Sequence, residues 1–503
     1  MKTRSTVAGA LALGLLLGTS AAPVYADRSV SSPSAEGPGS PTAGRRGASG
    51  AAAMAQRDEI VVTFDPGATA AERDRVHRQL GAKRVQTVYR GSSTEGAVEV
   101  IDLPAGSSEG RAMAVADVAA DVAVAEPNAR YYVRHYANDP YYLDGSLWGM
   151  YGRSTTPSND FGSRAAAAWS NGFTGSKDVY VAVLDEGIDL KHPDLAANIW
   201  TNPYDPVDGI DNDGNGYVDD IHGWDFVGNQ ATQPKGDNTV YDPDPATSQE
   251  VDAHGTHVAG TIGAVGDNGM GVAGVNWNVT IIPLKFLAWE GGTSSNAARA
   301  IYYLVDLKMR HPEMNIVAIN ASWGGREHPT FLEDAIRVAG SNGILFVNAV
   351  GEACCTAADK GANSDIVDDY PAKYDCRVTY GNEPFDCMVA VTVLLKTGRR
   401  AYWANWGRKT VDLAAPGVRI CSTVPYVGTT TNPALGAGYD CLTGTSMATA
   451  FVSGAIALYY AARPAATPRQ VRRALFSSTT RTKDFVGLTV TGGRLDVNTM
   501  LRS

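Results

Sequence analysis

The chain has 503 residues, 44% of them hydrophobic and 19% charged, with 54 glycines. That is enough apolar material for one or two sizeable cores in a turn-rich globular body. The formal charge of −10 is uneven, because residues 1–134 carry 15 basic against 14 acidic side chains and leave −11 for residues 135–503. So acidic a body excludes nucleic acid as a partner, since phosphate binding needs a basic surface, and it is permissive of divalent cations.

In chain order, Lys2 and Arg4 precede the apolar run Val7–Leu17, and small residues lead to Ala26. This pattern predicts a cleaved secretory signal over residues 1–26 and a secreted, extracellular protein. The run is too short to span a bilayer comfortably, and no later stretch reads as a membrane anchor. Residues 27–56 are Ser, Gly, Pro and Ala in near-continuous sequence, a low-complexity linker with almost nothing to pack.

Residues 57–134 alternate as EIVVTF (strand), AAERDRVHRQLG (helix closed by Gly81), AVEVIDL (strand), RAMAVADVAA (helix) and VAVAEPN (strand). This predicts a small β-α-β-α-β unit. It carries no chemical motif, and on composition it suits a binding module; its place ahead of the larger region suggests a prodomain. From 135 to 503, VYVAVLD, VTIIPLKFL, NIVAINAS, GILFVNAV and CMVAVTVL read as buried strands, with AARAIYYLVDLKMR and FLEDAIRVAG as covering helices. The expected fold is α/β, a doubly wound and mostly parallel sheet, with functional groups at the carboxyl ends of its strands.

Three segments carry chemistry. Asp185 ends VYVAVLD where a buried strand meets a turn. His254 opens HGTHVAG, whose small residues let a helix pack closely. Ser446 lies in GTSMATA at a predicted helix start, near backbone N–H groups able to receive negative charge. Alone, Asp185 reads as a turn cap and Ser446 as an N-cap. His254 and His257 could share a helix face, but the H-E-x-x-H pattern of zinc peptidases is absent. A lipase or esterase would require G-x-S-x-G and a Ser, Asp, His order, and neither is present.

VAVLDEGID, HGTHVAG, NASWGG and GTSMATA, in the order Asp, His, Ser, together with HPDL, DDIHGWDFVGN and AAPGVRI, resemble the subtilisin-like serine endopeptidases over about residues 57–503. The resemblance implies that Ser446 attacks the scissile carbonyl, His254 carries the proton and Asp185 orients the imidazole. Ser322, Trp323 and Gly324 match the strand that binds substrate backbone beside the primary specificity pocket. Residues 57–134 resemble the family's inhibitory propeptide, with self-cleavage at roughly 130–140. The implied partners are polypeptide substrates and the protein's own propeptide, on a monomer.

Calcium (Ca2+) is the expected metal. Asp211, Asp213, Asn215 and Asp219 fall at positions 1, 3, 5 and 9 of an oxygen-rich loop with Gly216 at 6, although His222 stands where a terminal Glu is expected. Asp194 and the turn Gly266–Gly269 match a calcium-binding region of relatives. The six cysteines, Cys354, Cys355, Cys376, Cys387, Cys421 and Cys441, lie in the second half. Export permits disulfides among them, and Cys421 with Cys441 could close a loop just before Ser446.

One position departs from the family. Where relatives carry an asparagine whose amide donates to the oxyanion, this chain has Glu352. An ionised carboxylate has no donor. Three outcomes are open: a protonated Glu352 that donates, a side chain turned away, or a weak or inactive relative that acts as a binding module.

Overall fold

The computed structural model describes residues 59–128 (without 93 and 105), 136–227, 236–241, 253–288, 291–353, 360–426 and 437–503. The predicted signal and linker, Cys354 and Cys355 therefore lie outside the described residues.

The small unit contains every element expected of it and one more. Strand β1 (Glu59–Phe64), helix α1 (Ala70–Leu80), β2 (Arg84–Tyr89), β3 (Val98–Asp102), α2 (Glu109–Asp117) and β4 (Val122–Pro127) follow in order. Thr69 and Glu72 form a capping box at the start of α1, and Gly81 closes it at φ 64°. The unpredicted strand is β2, so the order is β-α-β-β-α-β rather than β-α-β-α-β. All six residues of β2 are exposed at the edge of the sheet β2-β3-β1-β4. Its Val and Tyr are held by ladder pairing to β3, and no buried face imposes an alternation on its sequence.

The larger region is built on a nine-stranded sheet. Its strands are β5 (Gly175–Asp185), β6 (Trp224–Asp225), β7 (Asn278–Lys285), β8 (Asn315–Ala321), β9 (Leu345–Ala349), β10 (Met388–Leu394), β11 (Leu413–Pro416), and the short β14 (Thr480–Arg481) and β15 (Gly493–Arg494). Strands β12 (Ile420–Thr423) and β13 (Tyr439–Leu442) form a separate antiparallel pair, locked by the Cys421–Cys441 disulfide. The sheet order is β14-β15-β11-β10-β9-β8-β5-β7-β6, and only the edge pair β14–β15 is antiparallel. All five predicted buried strands are among its members. The chain leaves β5 for β7 on one side and then returns to β8 on the other, so the winding direction switches at β5. Ligand crevices form at such a switch point, and Asp185 is the last residue of β5.

Helices α3 (Ala253–Gly263) and α6 (Thr445–Ala462) pack together and across the sheet, while α4 (Ser294–Arg310) and α5 (Thr330–Ser341) pack against each other. Helix α6 is apolar and long enough to cross a membrane, but 83% of it is buried in the protein. Its sequence shows why it can run through the centre. A Cβ on Gly454 would meet Val275 at 2.7 Å, and Phe451 fills a slot where a Cβ on Gly149 would come within 2.5 Å. Burying a Phe of that kind stabilises the fold by about 2–3 kcal/mol. A second disulfide joins Cys376 to Cys387.

Candidate active site

Each of the three chemical residues is delivered by a different element. Asp185, fully buried at the end of β5, accepts from His254 Nδ1 at 2.8 Å and from the Glu186 backbone N–H at 2.9 Å, both on Oδ1. His254 stands in the first turn of α3. The glycine beside it is what lets that turn come so close: a Cβ on Gly255 would lie 2.1 Å from the Gly187 carbonyl and 3.3 Å from Asp185 Cβ. Because the obstacle is backbone, Gly255→Ala is expected to displace α3 and cost about 2 kcal/mol or more. Thermal unfolding would register this as a lowered Tm, accompanied by loss of Ser446 reactivity.

Burial works against a charge on His254, yet Asp185, Glu186 and Glu352 outweigh it and push the imidazole up to about 9. The ring keeps 31% of its surface open to solvent, which screens part of those attractions. Glu186 turns out to matter here. Its Oε1 accepts the His254 backbone N–H at 2.6 Å, fixing the start of α3, and its charge favours the imidazolium. His257 is a core residue instead: Nε2 bonds the Ile420 carbonyl at 2.7 Å, and burial lowers its pKa to about 4. The two histidines do not converge on a shared metal.

Ser446 occupies the second position of α6, whose first-turn N–H groups have no intrahelical acceptor. Its hydroxyl donates to the Ser322 carbonyl at 3.2 Å, while Ser322 Oγ donates back to the Ser446 carbonyl at 3.0 Å. Among the described residues it makes no hydrogen bond to His254, a looseness common before substrate binds. Behind this pair runs a polar chain that the sequence did not reveal. Ser453 Oγ donates to Asn320 Oδ1 at 2.7 Å, and Asn320 Nδ2 to Ser322 Oγ at 2.9 Å. Asn348 spends its amide on the Ala321 and Trp323 carbonyls, at 2.7 and 2.9 Å. It therefore fixes the Ser322–Gly324 strand and is not free to act on an oxyanion. Trp323 is itself anchored through Nε1 to the Leu184 carbonyl at 2.9 Å.

Glu352 faces the same helix start. Its Oε2 accepts the Thr445 backbone N–H at 2.9 Å and also the Thr445 hydroxyl. Oε1 lies 2.9 Å from where a Cβ on Gly444 would stand. Gly444 is extended at φ 168°, so its lack of a side chain serves this approach. Oε2 thus takes up two donors at the helix N-terminus, where the backbone dipole favours negative charge. Of the three outcomes open from sequence, the side chain does not turn away: its Oε2 rests on the first residue of α6.

The expected metal ligands divide into two groups. In the 208–220 loop the carboxylates serve the backbone: Asp211 accepts from Asn215 and Gly216, Asp213 from Asn215, and Asp219 from Asp208 and Gly209. Asn215 Oδ1 accepts from Tyr217 N. These oxygens are turned into the loop, and among the described residues no cluster of three or more His, Cys, Asp or Glu side chains is poised for a metal. Asp194 sits elsewhere, in a buried corner with Asp139, a residue sequence reading missed. Burial raises each carboxyl to about 6, and Asp194 pushes Asp139 further up. Asp139 Oδ1 is buried with no hydrogen-bond partner. The 266–269 turn closes the corner, with Asp267 N on Asp139 Oδ2 at 2.9 Å and Asn268 Nδ2 on Asp194 Oδ1 at 2.7 Å.

A buried aspartate bonded to a half-buried histidine lies at the switch point of a doubly wound sheet, and the helix that begins at Thr445–Ser446 packs against the histidine's helix. Comparison with known proteins identifies the class. Residues 176–492 match the model of the subtilase family, Peptidase_S8, and residues 44–128 match a fervidolysin N-terminal prodomain. The chain is similar to subtilisin amylosacchariticus of Bacillus subtilis subsp. amylosacchariticus, at 32% identity over 63% of this chain and 64% of that one. It is also similar to subtilisin-like protease 1 of Plasmodium berghei, at 30% identity over 63% of this chain and 48% of that one. A thermophilic serine proteinase of Bacillus sp. strain AK1 is 29% identical over 80% and 77% of the two chains. Among solved structures, a protease from Pseudoalteromonas arctica matches with a TM-score of 0.53 and 27% identity, covering 73% of this chain and 99% of that one. The match thus spans about half to two thirds of the length of the first two relatives. The chain belongs to the subtilase family and carries an N-terminal prodomain.

Proposed function

We propose that this protein is a secreted serine endopeptidase that hydrolyses peptide bonds through an acyl-enzyme on Ser446, slowed by a carboxylate in its oxyanion hole. The observation that carries the reading is the 2.8 Å contact of Asp185 Oδ1 with His254 Nδ1, which leaves Nε2 as the base. His254 takes the Ser446 proton as Oγ bonds to the scissile carbonyl carbon, and returns it to the leaving amine as the C–N bond breaks. Water then repeats the sequence and releases the acid. Asp185 holds the ring and balances its positive form. Backbone donors at the start of α6 receive the oxyanion, opposed by Glu352. Export follows from the signal pattern of residues 1–26, and the prodomain holds the site closed until it is cut away.

One observation favours a second reading. Glu352 already accepts from Thr445, in the place where an oxyanion would be received, so a silent binding protein on the same fold is the alternative. Fluorophosphonate labelling of the activated protein, read by mass spectrometry, separates the two. Modification of Ser446 that disappears in His254→Ala supports the peptidase; no labelling of the wild type leaves the binding protein.

For the metal, the Asp139–Asp194 corner fits calcium, a hard cation that takes carboxylate oxygens. It would supply charge balance and rigidity there, with no part in the bond changes. Calcium at about 100 times its Kd would stabilise the fold by about 2.7 kcal/mol. EGTA is therefore expected to lower the Tm by a few degrees in the wild type and not in Asp139→Asn; an unchanged wild-type Tm rejects the site.

A further inference from the structure

Glycines on two sides of the cleft floor make room for one carboxyl. A Cβ on Gly351, which stands at φ +72°, would lie 2.6 Å from Asp369 Oδ2, and a Cβ on Gly324 would lie 3.0 Å from Asp369 Oδ1. Gly324 ends the strand matched to substrate backbone, and Gly351 precedes Glu352. The Asp369 carboxyl thus lies between Gly351 and Gly324, beside the segment that resembles the family's substrate-binding strand. Its backbone is pinned there, because Tyr370 and Gly325 exchange hydrogen bonds of 2.7 and 2.8 Å.

Its two oxygens are used differently. Oδ2 accepts from Asn405 Nδ2 at 3.0 Å, and Asn405 is itself tied to the Val350 carbonyl at 2.8 Å. Oδ1 has no hydrogen-bond partner among the described residues. Burial raises this carboxyl to about 6; Asn405 opposes the shift, Glu352 adds to it, and the exposed Arg326 pulls it back. The nearby Lys373 is already paired with Asp368 at 2.8 Å. Among the described residues Asp369 forms no ion pair. A half-buried carboxylate with a second carboxylate close by gains from an incoming cation and is penalised by an apolar group that strips its water.

We propose that Asp369 determines specificity by selecting a lysine or arginine side chain before the scissile bond. The proposal rests on the peptidase reading and names its substrate class. Oδ1 accepts the charged N–H of the substrate, and Trp323 supplies an apolar wall for the aliphatic stem. Because Oδ2 is held by Asn405, the contact is made through one oxygen, and lysine serves as well as arginine.

The test has two arms. In the first, kcat/KM is measured on fluorogenic peptides that differ only in the residue before the cut: Lys, Arg, Gln, Phe or Leu. Lys and Arg are expected to exceed Gln and Phe by about tenfold or more, and Asp369→Asn is expected to erase that ratio. In the second, Ser446→Ala is titrated by calorimetry with product-like peptides ending in Lys, Gln or Phe, and the Lys peptide should bind tightest, again by about tenfold. Preference for Phe or Leu in either arm, or an unchanged ratio in Asp369→Asn, overturns the assignment. If no peptide is cleaved while the Lys peptide still binds tightest, the peptidase reading fails and the pocket assignment stands.

Discussion

Replacing Glu352 with asparagine is expected to raise kcat by about a hundredfold. The Glu352 side chain holds the Thr445 N–H and hydroxyl in the ground state, so two donors at the start of the Ser446 helix are already engaged before any substrate arrives. In the proposed reaction, the negative charge of the tetrahedral intermediate would develop beside this side chain. Asparagine removes the repulsion and adds an N–H₂ donor. In subtilisin, a relative of this chain, loss of one such donor costs about 10²–10³ in turnover; that is a value measured on that enzyme and not one derived from this site. Glu352→Gln should gain less, because its longer side chain carries the amide past the same point. The substitution should leave KM for short peptides little altered, since the change is felt in the transition state. Loss of a carboxylate at the helix start should cost about 0.5–1 kcal/mol of stability, measurable by denaturant unfolding.

The second large effect is on pH. His254 acts as a base only when neutral, and its anionic neighbours raise it to about 9. The raised pKa favours the protonated, inactive form, so kcat/KM should climb as pH rises from 7 through about 9. At pH 7 a group of that pKa is neutral in only about one molecule in a hundred. Glu352 and Glu186 both contribute to the shift. Glu352→Gln and Glu186→Gln should each move this limb to lower pH, because removing an anion weakens the imidazolium. A protonated Glu352 acting as donor would add a second limb, falling as pH rises, that Glu352→Gln removes. A pH–rate series on the wild type and both variants separates the two cases.

These effects come from contacts that the sequence did not state. The segments around Asp185, His254 and Ser446 were legible because their small residues have one use: Gly255 clears the Gly187 carbonyl, and Gly454 clears Val275. The buried parallel strands were legible as continuous apolar runs. Strand β2 was not, since an exposed edge imposes no alternation. Glu352 was visible as a misfit, but its partner Thr445 was hidden, because 93 residues separate them and only the fold joins them. Glu186 had no motif to mark it, yet it accepts the His254 backbone N–H and helps raise the imidazole. The oxygen-rich 208–220 loop drew attention by composition, yet its carboxylates hold the loop's own N–H groups. Asp139 and Asp369 had no motif around them, and each is identified only by what surrounds its carboxyl.

The central claim is that the relay is intact and one carboxylate sets its rate. Single-turnover acylation of the activated protein by a peptide ester at fixed pH, with wild type, Glu352→Asn and Ser446→Ala side by side, tests it most directly. The account predicts that Glu352→Asn is fastest, that the wild type is slower but measurable, and that Ser446→Ala is inert. A wild type as inert as Ser446→Ala, or a Glu352→Asn no faster than the wild type, would contradict it.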